Sequence, residues 1–405
     1  MKLAEFLHHG KQLRRQGRTL AIAYFEQSLQ NTLDVNTDAG MADLGMTARI
    51  LLDLALELIG TRLPESLQRG ESLIQQAAAT LDQNPTADNE QRAYLLYVQA
   101  NLALELGKLT NVLQILDNVY QLYQDNPEGL ALTDDAIGRY YLQVNDPQSA
   151  LNHFERALSL RLESEDECAI AKSYTYLGKL YLSIEDTSQA VSLYQNALEI
   201  ALANEDRALQ LQSLKGLAKS AIVEQQWQTA IALSKDAITL LQEPVDTIEI
   251  GYLYCDLSEA LLGDRQINQS LLCIRAEVLP RFRDYQYQKG IAIAKHIRGR
   301  IYVQRLLEGL DSLDEDAIET AQDSLLDASM GFEELGMMLD YAKTLYDLAC
   351  LYQLCSNSPF QYQYQGKALR SLELSLSVLD KLGMSSTKFG TQVDELLDQV
   401  MGGKF

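Results

Sequence analysis

The chain has 405 residues, with 34 Lys and Arg against 56 Asp and Glu, a formal net charge of −22. A field of that sign repels nucleic acid and anionic membrane at long range, so neither is an expected partner. With 47% hydrophobic residues and only 7 Pro, the composition excludes a disordered polymer and suits long helices around a large core.

The five cysteines, Cys168, Cys255, Cys273, Cys350 and Cys355, are scattered and form no CxxC pair, as expected of reduced thiols. The start, Met1-Lys2-Leu3-Ala4-Glu5-Phe6, places an acid where a signal peptide needs apolar residues. No apolar stretch approaches the roughly 20 residues of a membrane span. The expectation is a soluble, cytoplasmic protein.

In chain order, the first helix pair is predicted between Leu3 and Leu33, and includes Gly17-Arg18-Thr19-Leu20-Ala21-Ile22-Ala23-Tyr24-Phe25. A second covers residues 46–82 and stops at Asn84-Pro85. A third, degenerate pair runs from Ala93 to Tyr123 around Ala100 and Val112. Next comes Ile137-Gly138-Arg139-Tyr140-Tyr141, followed by Ala150, Phe154 and Ala157. Leu177-Gly178-Lys179-Leu180-Tyr181 is followed by Ala190, Tyr194 and Ala197. Leu217-Ala218-Lys219-Ser220-Ala221 is followed by Ala230, Ser234 and Ala237. Ala150, Ala190 and Ala230 are 40 residues apart. A weaker copy keeps the step: Leu257-Ser258, then Ser270, Ile274 and Glu277.

Beyond it, Gly299, Tyr302, Ala321, Leu325 and Ala328 form an eighth pair, with an excess of ten residues near 305–316. Leu348, Ala349, Tyr352, Ala368 and Leu372 form a ninth, with an insertion near 356–366 that holds Phe360-Gln361-Tyr362-Gln363-Tyr364. This aromatic insertion either binds something or covers the last groove. Val393, Leu396, Leu397 and Val400 then put one apolar stripe on a closing helix. Punctuation agrees: Asn145-Asp146-Pro147 offers a cap and a first-turn Pro, and Pro127 and Pro244 fall between pairs.

Helix packing explains the pattern. A small residue in each first helix (Gly138, Gly178, Ala218, Ser258) lets the second approach to roughly 8–10 Å. Two small residues seven apart on the second helix share a face, and the aromatic between them fills the gap. This small-large-small signature resembles the tetratricopeptide repeat, most clearly between about 93 and 280. The step of 40 departs from that family's usual repeat of about 34. The longer form is similar to the repeats of kinesin light chains and several bacterial regulators.

The resemblance implies an all-α, right-handed α-solenoid of about nine hairpins with a C-terminal capping helix. Four segments are expected: N-terminal hairpins over 1–85, a core array over 86–285, C-terminal hairpins with inserted loops over 286–385, and the cap and tail over 386–405.

In such a solenoid first helices line the concave surface. The residue after each small first-helix residue then projects into the groove, one per repeat: Asn101, Arg139, Lys179, Lys219, Glu259, Arg300 and Cys350. Arg139, Lys179 and Lys219 make a basic ladder across three repeats. Lys172 and Lys215 flank it by i, i+4 and i, i+7 spacing, and Tyr97, Tyr176 and Tyr252 add aromatic contacts. The ladder either attracts an acidic segment or a C-terminal carboxylate, or is solvated and paired internally, with Asp135 and Glu259 nearby. The Lys-Asn-Lys-Arg clamp of tetratricopeptide domains that hold chaperone tails is incomplete here, because the Asn arrangement is missing.

No catalytic residue, cofactor site or metal site is expected. His8-His9, His153 and His296 have no second ligand at helical spacing. Cys350 and Cys355 read as core or exposed thiols. The acid clusters Glu163, Glu165, Asp166, Glu167 and Asp311, Asp314, Glu315, Asp316 read as turns and first-turn acids rather than calcium loops. No nucleophile elbow, phosphate loop or HExxH appears.

The leading expectation is a non-enzymatic adaptor or scaffold that holds a peptide or partner protein in its concave groove. The alternative is a ligand-responsive sensor acting on an effector in trans, since chain length and step resemble the Rap-type peptide-responsive regulators.

Overall fold

The computed structural model describes residues 3–39, 44–355 and 361–402. Among them every regular element is a helix, and most pair into successive hairpins. The first three are α1 (Leu3–Gln16) with α2 (Arg18–Ala39), α3 (Leu44–Thr61) with α4 (Pro64–Asp82), and α5 (Asn89–Glu105) with α6 (Val112–Leu122). The next three are α7 (Pro127–Gln143) with α8 (Pro147–Ser164), α9 (Glu167–Ser183) with α10 (Thr187–Ala203), and α11 (Arg207–Val223) with α12 (Trp227–Thr239). In the seventh, α13 (Thr247–Gly263) is followed by α14 (Ile267–Leu272), a π-helical turn (Cys273–Val278) and α15 (Leu279–Asp284) without interruption. Then come α16 (Gln288–Leu307) with α17 (Glu315–Glu334), α18 (Met338–Leu354) with α19 (Gln361–Lys381), and a last helix, α20 (Lys388–Met401). Packing divides the chain into two compact units, residues up to Leu253 and residues from Tyr254 onward.

The turns repeat at half the sequence period. Asp146, Asp166, Asp186 and Asp206 each cap a helix, accepting a hydrogen bond from the backbone N–H of Ser149, Ala169, Gln189 and Leu209. Such a cap contributes about 1 kcal/mol over Ala. The residue before each, Asn145, Glu165, Glu185 or Glu205, is left-handed, with φ of 60°, 56°, 63° and 52°. One residue against its ordinary preference and one Asp side chain thus turn the chain every 20 residues.

Packing follows the small-large-small pattern. Ala150, Phe154, Ala157, Ala190, Tyr194 and Ala197 are buried. A methyl group on Gly138 would come within 2.5 Å of the Phe154 ring, so the two helices meet there only because the side chain is absent. Gly216 leaves room for Tyr194 in the same way, from the following hairpin.

The seventh hairpin corrects one expectation. Ser270 and Ile274 are buried as expected, and Ser258 and Ser270 are joined by hydrogen bonds. The third inward position, however, is Val278, while Glu277 is half-buried and pairs with Arg281. The π turn adds one residue to this helix and moves the next inward position one residue along the sequence, from 277 to 278.

At the expected excess near 305–316, α16 runs to Leu307. Arg305 then grips Asp311 through Nε and Nη2 at 2.6 and 2.8 Å, and Asp314 caps α17. Phe360 lies outside the described residues, and Gln361 onward is already helical. Tyr364 stacks on Tyr352 with Lys367 near both rings. Burial pushes the thiols of Cys350 and Cys355 up to about 12 and about 11. On α20, Val393, Leu396 and Val400 are buried. No helix among the described residues is long and apolar enough to cross a membrane.

Candidate binding groove

Arg139, Lys179 and Lys219 occupy matching places on α7, α9 and α11, and their surroundings differ. Arg139 donates from Nη1 to Asn101 Oδ1 at 2.7 Å, and its Nη2 lies 3.7 Å from Glu105. Lys179 and Lys219 are exposed. A further cation arrives from the turn between α3 and α4. Arg62 donates to Glu105 and Glu249, both at 3.2 Å. Glu249, at the start of α13, also binds Lys215.

These charges act on one another. Burial pushes the Glu105 carboxyl up, but Arg62 and Arg139 outweigh it and hold the group below its usual range. Lys179 goes the opposite way. Desolvation by the surrounding protein, then Arg139, Arg62 and Lys219, push its ammonium down to about 8, with Glu105 opposing. Lys179 remains open to water, so solvent screens part of the repulsion. It donates to no acceptor among the described residues.

The other expected residues differ in burial and partners. Tyr97 is buried and stacks on Tyr94 at 6.1 Å between ring centres. Asn101 is buried, donating to Tyr97 O while it accepts from Arg139. Tyr176 stacks on Phe154 at 5.4 Å, and Lys172 reaches over its ring. Tyr252 on α13 is half-buried. Arg300 belongs to the second unit, where it binds Glu259 at 2.6 Å and approaches Asp347 at 4.0 Å.

Several charged residues escaped the sequence reading. Arg62, Glu105 and Glu249 fall outside the repeat positions that carry the ladder. A larger omission is a seam of ion pairs between the N-terminal hairpin and the starts of first helices. Lys11 binds Asp166 at 2.7 Å, Arg15 lies 3.7 Å from Asp206, and Arg18 binds Asp246 at 3.2 Å. The three acids are 40 residues apart, and the three cations are four and three apart. One face of the N-terminal hairpin therefore reads the repeat period of the array.

Behind the seam, Arg14 binds Asp53 at 2.9 Å and Glu57 at 2.6 Å. Asp53 also accepts from Arg49 at 3.1 Å and from the Tyr94 hydroxyl at 2.6 Å. Burial would raise its carboxyl, but Arg14 and Arg49 hold it below the usual range. The available signal was Lys11-Gln12-Leu13-Arg14-Arg15-Gln16-Gly17-Arg18, with four cations in eight residues of an acidic chain.

Residues 173–208 match the tetratricopeptide repeat family. No curated protein sequence matches the chain. Among solved structures it is similar to a Rap protein complexed with competence and sporulation factor. The identity is 14%, covering 89% of this chain and all of that one, with a TM-score of 0.59. It is similar to a signal-transduction ATPase with numerous domains and a tetratricopeptide repeat sensor, from Pyrococcus horikoshii. That match has 12% identity over 90% of this chain and 56% of the other, with a TM-score of 0.55. The apo form of RapI matches at 12% identity over 70% of this chain and 98% of its own, with a TM-score of 0.52. Residues 173–208 are a tetratricopeptide repeat, and the helical-hairpin fold of the described chain is the fold of tetratricopeptide-repeat proteins.

Proposed function

We propose that the cation row of the first unit holds an acidic segment or a C-terminal carboxylate of a peptide or partner protein, and that the chain acts as an adaptor or scaffold. The observation that carries this reading is Lys179, an exposed ammonium without an acceptor among the described residues. Arg139, Arg62 and Lys219 all act against its charge, in a protein of net charge −22. An incoming carboxylate relieves that repulsion and gains charge-assisted hydrogen bonds. Extended contact along successive hairpins supplies the remaining affinity.

The test is capture from native lysate by the full chain, beside the variant Arg139→Glu, Lys179→Glu, Lys219→Glu, after circular dichroism shows the variant folded. A partner held by the wild type and lost by the variant supports the row as the site. The same partner on both proteins sinks this reading.

The seam favours a second reading, a ligand-responsive regulator acting on an effector in trans. Lys11 and Arg15 tie the N-terminal hairpin to α9 and α11, the helices that carry Lys179 and Lys219. A ligand drawn into the row would therefore strain or relieve the same helices. The Rap protein complexed with competence and sporulation factor is a precedent on this architecture, at 14% identity. A change in radius of gyration on adding the captured partner favours regulation, and an unchanged radius favours a static adaptor.

A further inference from the structure

The third hairpin departs from the small-large-small pattern that closes its neighbours. Val112, Leu116 and Val119 stand 38 residues before Ala150, Phe154 and Ala157, and all are buried. Two β-branched residues replace two alanines between the helices, and Leu116 replaces the aromatic. The second helix is also short, 11 residues in α6 against 18 in α8 and 17 in α10. Between α5 and α6 lies an open cleft of about 420 Å³. Arg92, Leu95 and Leu96 line it from α5, and Asn118, Gln121 and Leu122 from α6, each set at i, i+3, i+4 spacing.

The matching place is filled in the next two hairpins. Asp134 and Arg156 correspond to Leu96 and Asn118. There Asp134 is fully buried, bound to His153 at 2.8 Å and approached by Arg156 at 3.7 Å. In the fifth hairpin Tyr174 corresponds to Leu96 and packs against the core around Cys168 and Leu209. Arg92 stands where those hairpins have Leu130 and Ile170, so a cation replaces an aliphatic. It is exposed, and its guanidinium donates to no side chain among the described residues. Gln121 accepts from Gln124 through Oε1, which leaves its own amide N–H groups to donate. No acid lines the cleft, in a chain with 56 Asp and Glu.

We propose that this cleft binds a medium-chain alkanoate, its carboxylate on Arg92 and its hydrocarbon against Leu95, Leu96 and Leu122. The carboxylate gains charge-assisted hydrogen bonds from the guanidinium, with Asn118 and Gln121 as further donors. The hydrocarbon and the three leucines remove apolar surface from water together. The volume is that of a small-molecule site. An uncharged hydrocarbon leaves Arg92 unused, and a cationic head meets its repulsion. No residue of the cation row lines the cleft, so this site and the proposed groove stand or fall separately.

The experiment titrates octanoate into the full chain carrying 13C-labelled leucine methyl groups, followed by NMR. Octylammonium serves as a probe of equal length and opposite charge. The expected result is a saturable shift at Leu95, Leu96 and Leu122, with Kd about 1 mM or tighter. Octylammonium, and octanoate on Arg92→Gln, should bind at least about tenfold more weakly. The double variant Leu96→Asp, Asn118→Arg carries the pair that fills the fourth hairpin and should abolish binding. Arg92 is exposed, so Arg92→Gln keeps the fold and decides the matter if circular dichroism shows the double variant unfolded. No saturable shift at the three leucines, equal binding of octylammonium, or unchanged affinity in Arg92→Gln overturns the proposal. So does octanoate binding by a folded double variant. Tighter binding at these leucines of a peptide with an aliphatic C-terminal residue also overturns it, and gives the cleft to a polypeptide end.

Discussion

Lys179 in the first unit and Arg300 in the second hold the same repeat position, the residue after the small one in a first helix. Their electrostatic fates are opposite. Burial works against the Arg300 guanidinium, yet Glu259 and Asp347 outweigh it and hold its proton more tightly. His296 also binds Asp347, at 2.6 Å, so that rung is supplied with counter-charge. Lys179 is acted on by Arg139, Arg62 and Lys219, and Glu105 is already shared between Arg62 and Arg139. Repeat position fixes where a side chain stands on its helix, and the neighbouring rungs decide whether it is satisfied. A candidate site is the rung where the sum does not close.

A buried cation–carboxylate contact sets the upper end of this comparison. Arg161 donates to Asp135 at 3.1 and 2.5 Å and to Ser173 at 2.6 Å, all of them buried. Arg161→Leu leaves Asp135 unpaired in the interior and should cost about 3–5 kcal/mol in chemical denaturation. A loss below about 1 kcal/mol would mean that water reaches Asp135 and that burial does not separate these contacts.

The seam comes next. Lys11→Gln, Arg15→Gln and Arg18→Gln together should cost about 1–2 kcal/mol, because each pair is partly exposed. Hydrogen exchange in α1 should quicken, while exchange in the second unit stays unchanged. Added salt should reproduce the effect in the wild type and leave the triple variant unmoved.

The smallest effects compare the two rungs directly. Arg300→Met should cost about 1 kcal/mol or less. Lys179→Met should cost nothing, and its slight gain should vanish in salt. The pH dependence has a definite sign. The folded ammonium of Lys179 lies below its ordinary 10.5, at about 8, so between those values the unfolded chain binds more protons. Relative to Lys179→Met, the wild type should gain stability as pH rises through that window. A flat difference would show that Arg62, Arg139 and Lys219 do not repel Lys179.

The fold was legible because its signals are local. Gly138 with Phe154 and Ala150 with Ala157 lie within one hairpin, where fixed spacing and helix geometry determine contact. Tyr97 and Asn101 show where this logic blurs. Repeat geometry put them toward the groove, and the structure places them among buried side chains, stacked on Tyr94 or bonded to Arg139. The seam was illegible for a different reason. Its partners are separated by 155 residues for Lys11 and Asp166 and 228 for Arg18 and Asp246, and no single-helix period links them. Arg62 was hidden likewise, since a turn residue bears no stripe. The row at Lys179 was legible as charge, but its deficit of counter-ions depends on Arg62.

The π turn in the seventh hairpin bears on how this chain has been lengthened. Gly299 follows Ser258 by 41 residues instead of 40, and the left-handed turn residue Gln286 follows Arg265 by 21 instead of 20. The surplus residue therefore lies between Arg265 and Gln286, and Cys273–Val278 is where the backbone widens to admit it. An insertion that would otherwise swing every later side chain around its helix is absorbed within a single turn. Registration resumes at Tyr287, and the hairpins beyond keep their inward faces. One wide helical turn thus acts as an expansion joint, taking up a single surplus residue before the next left-handed turn at Gln286.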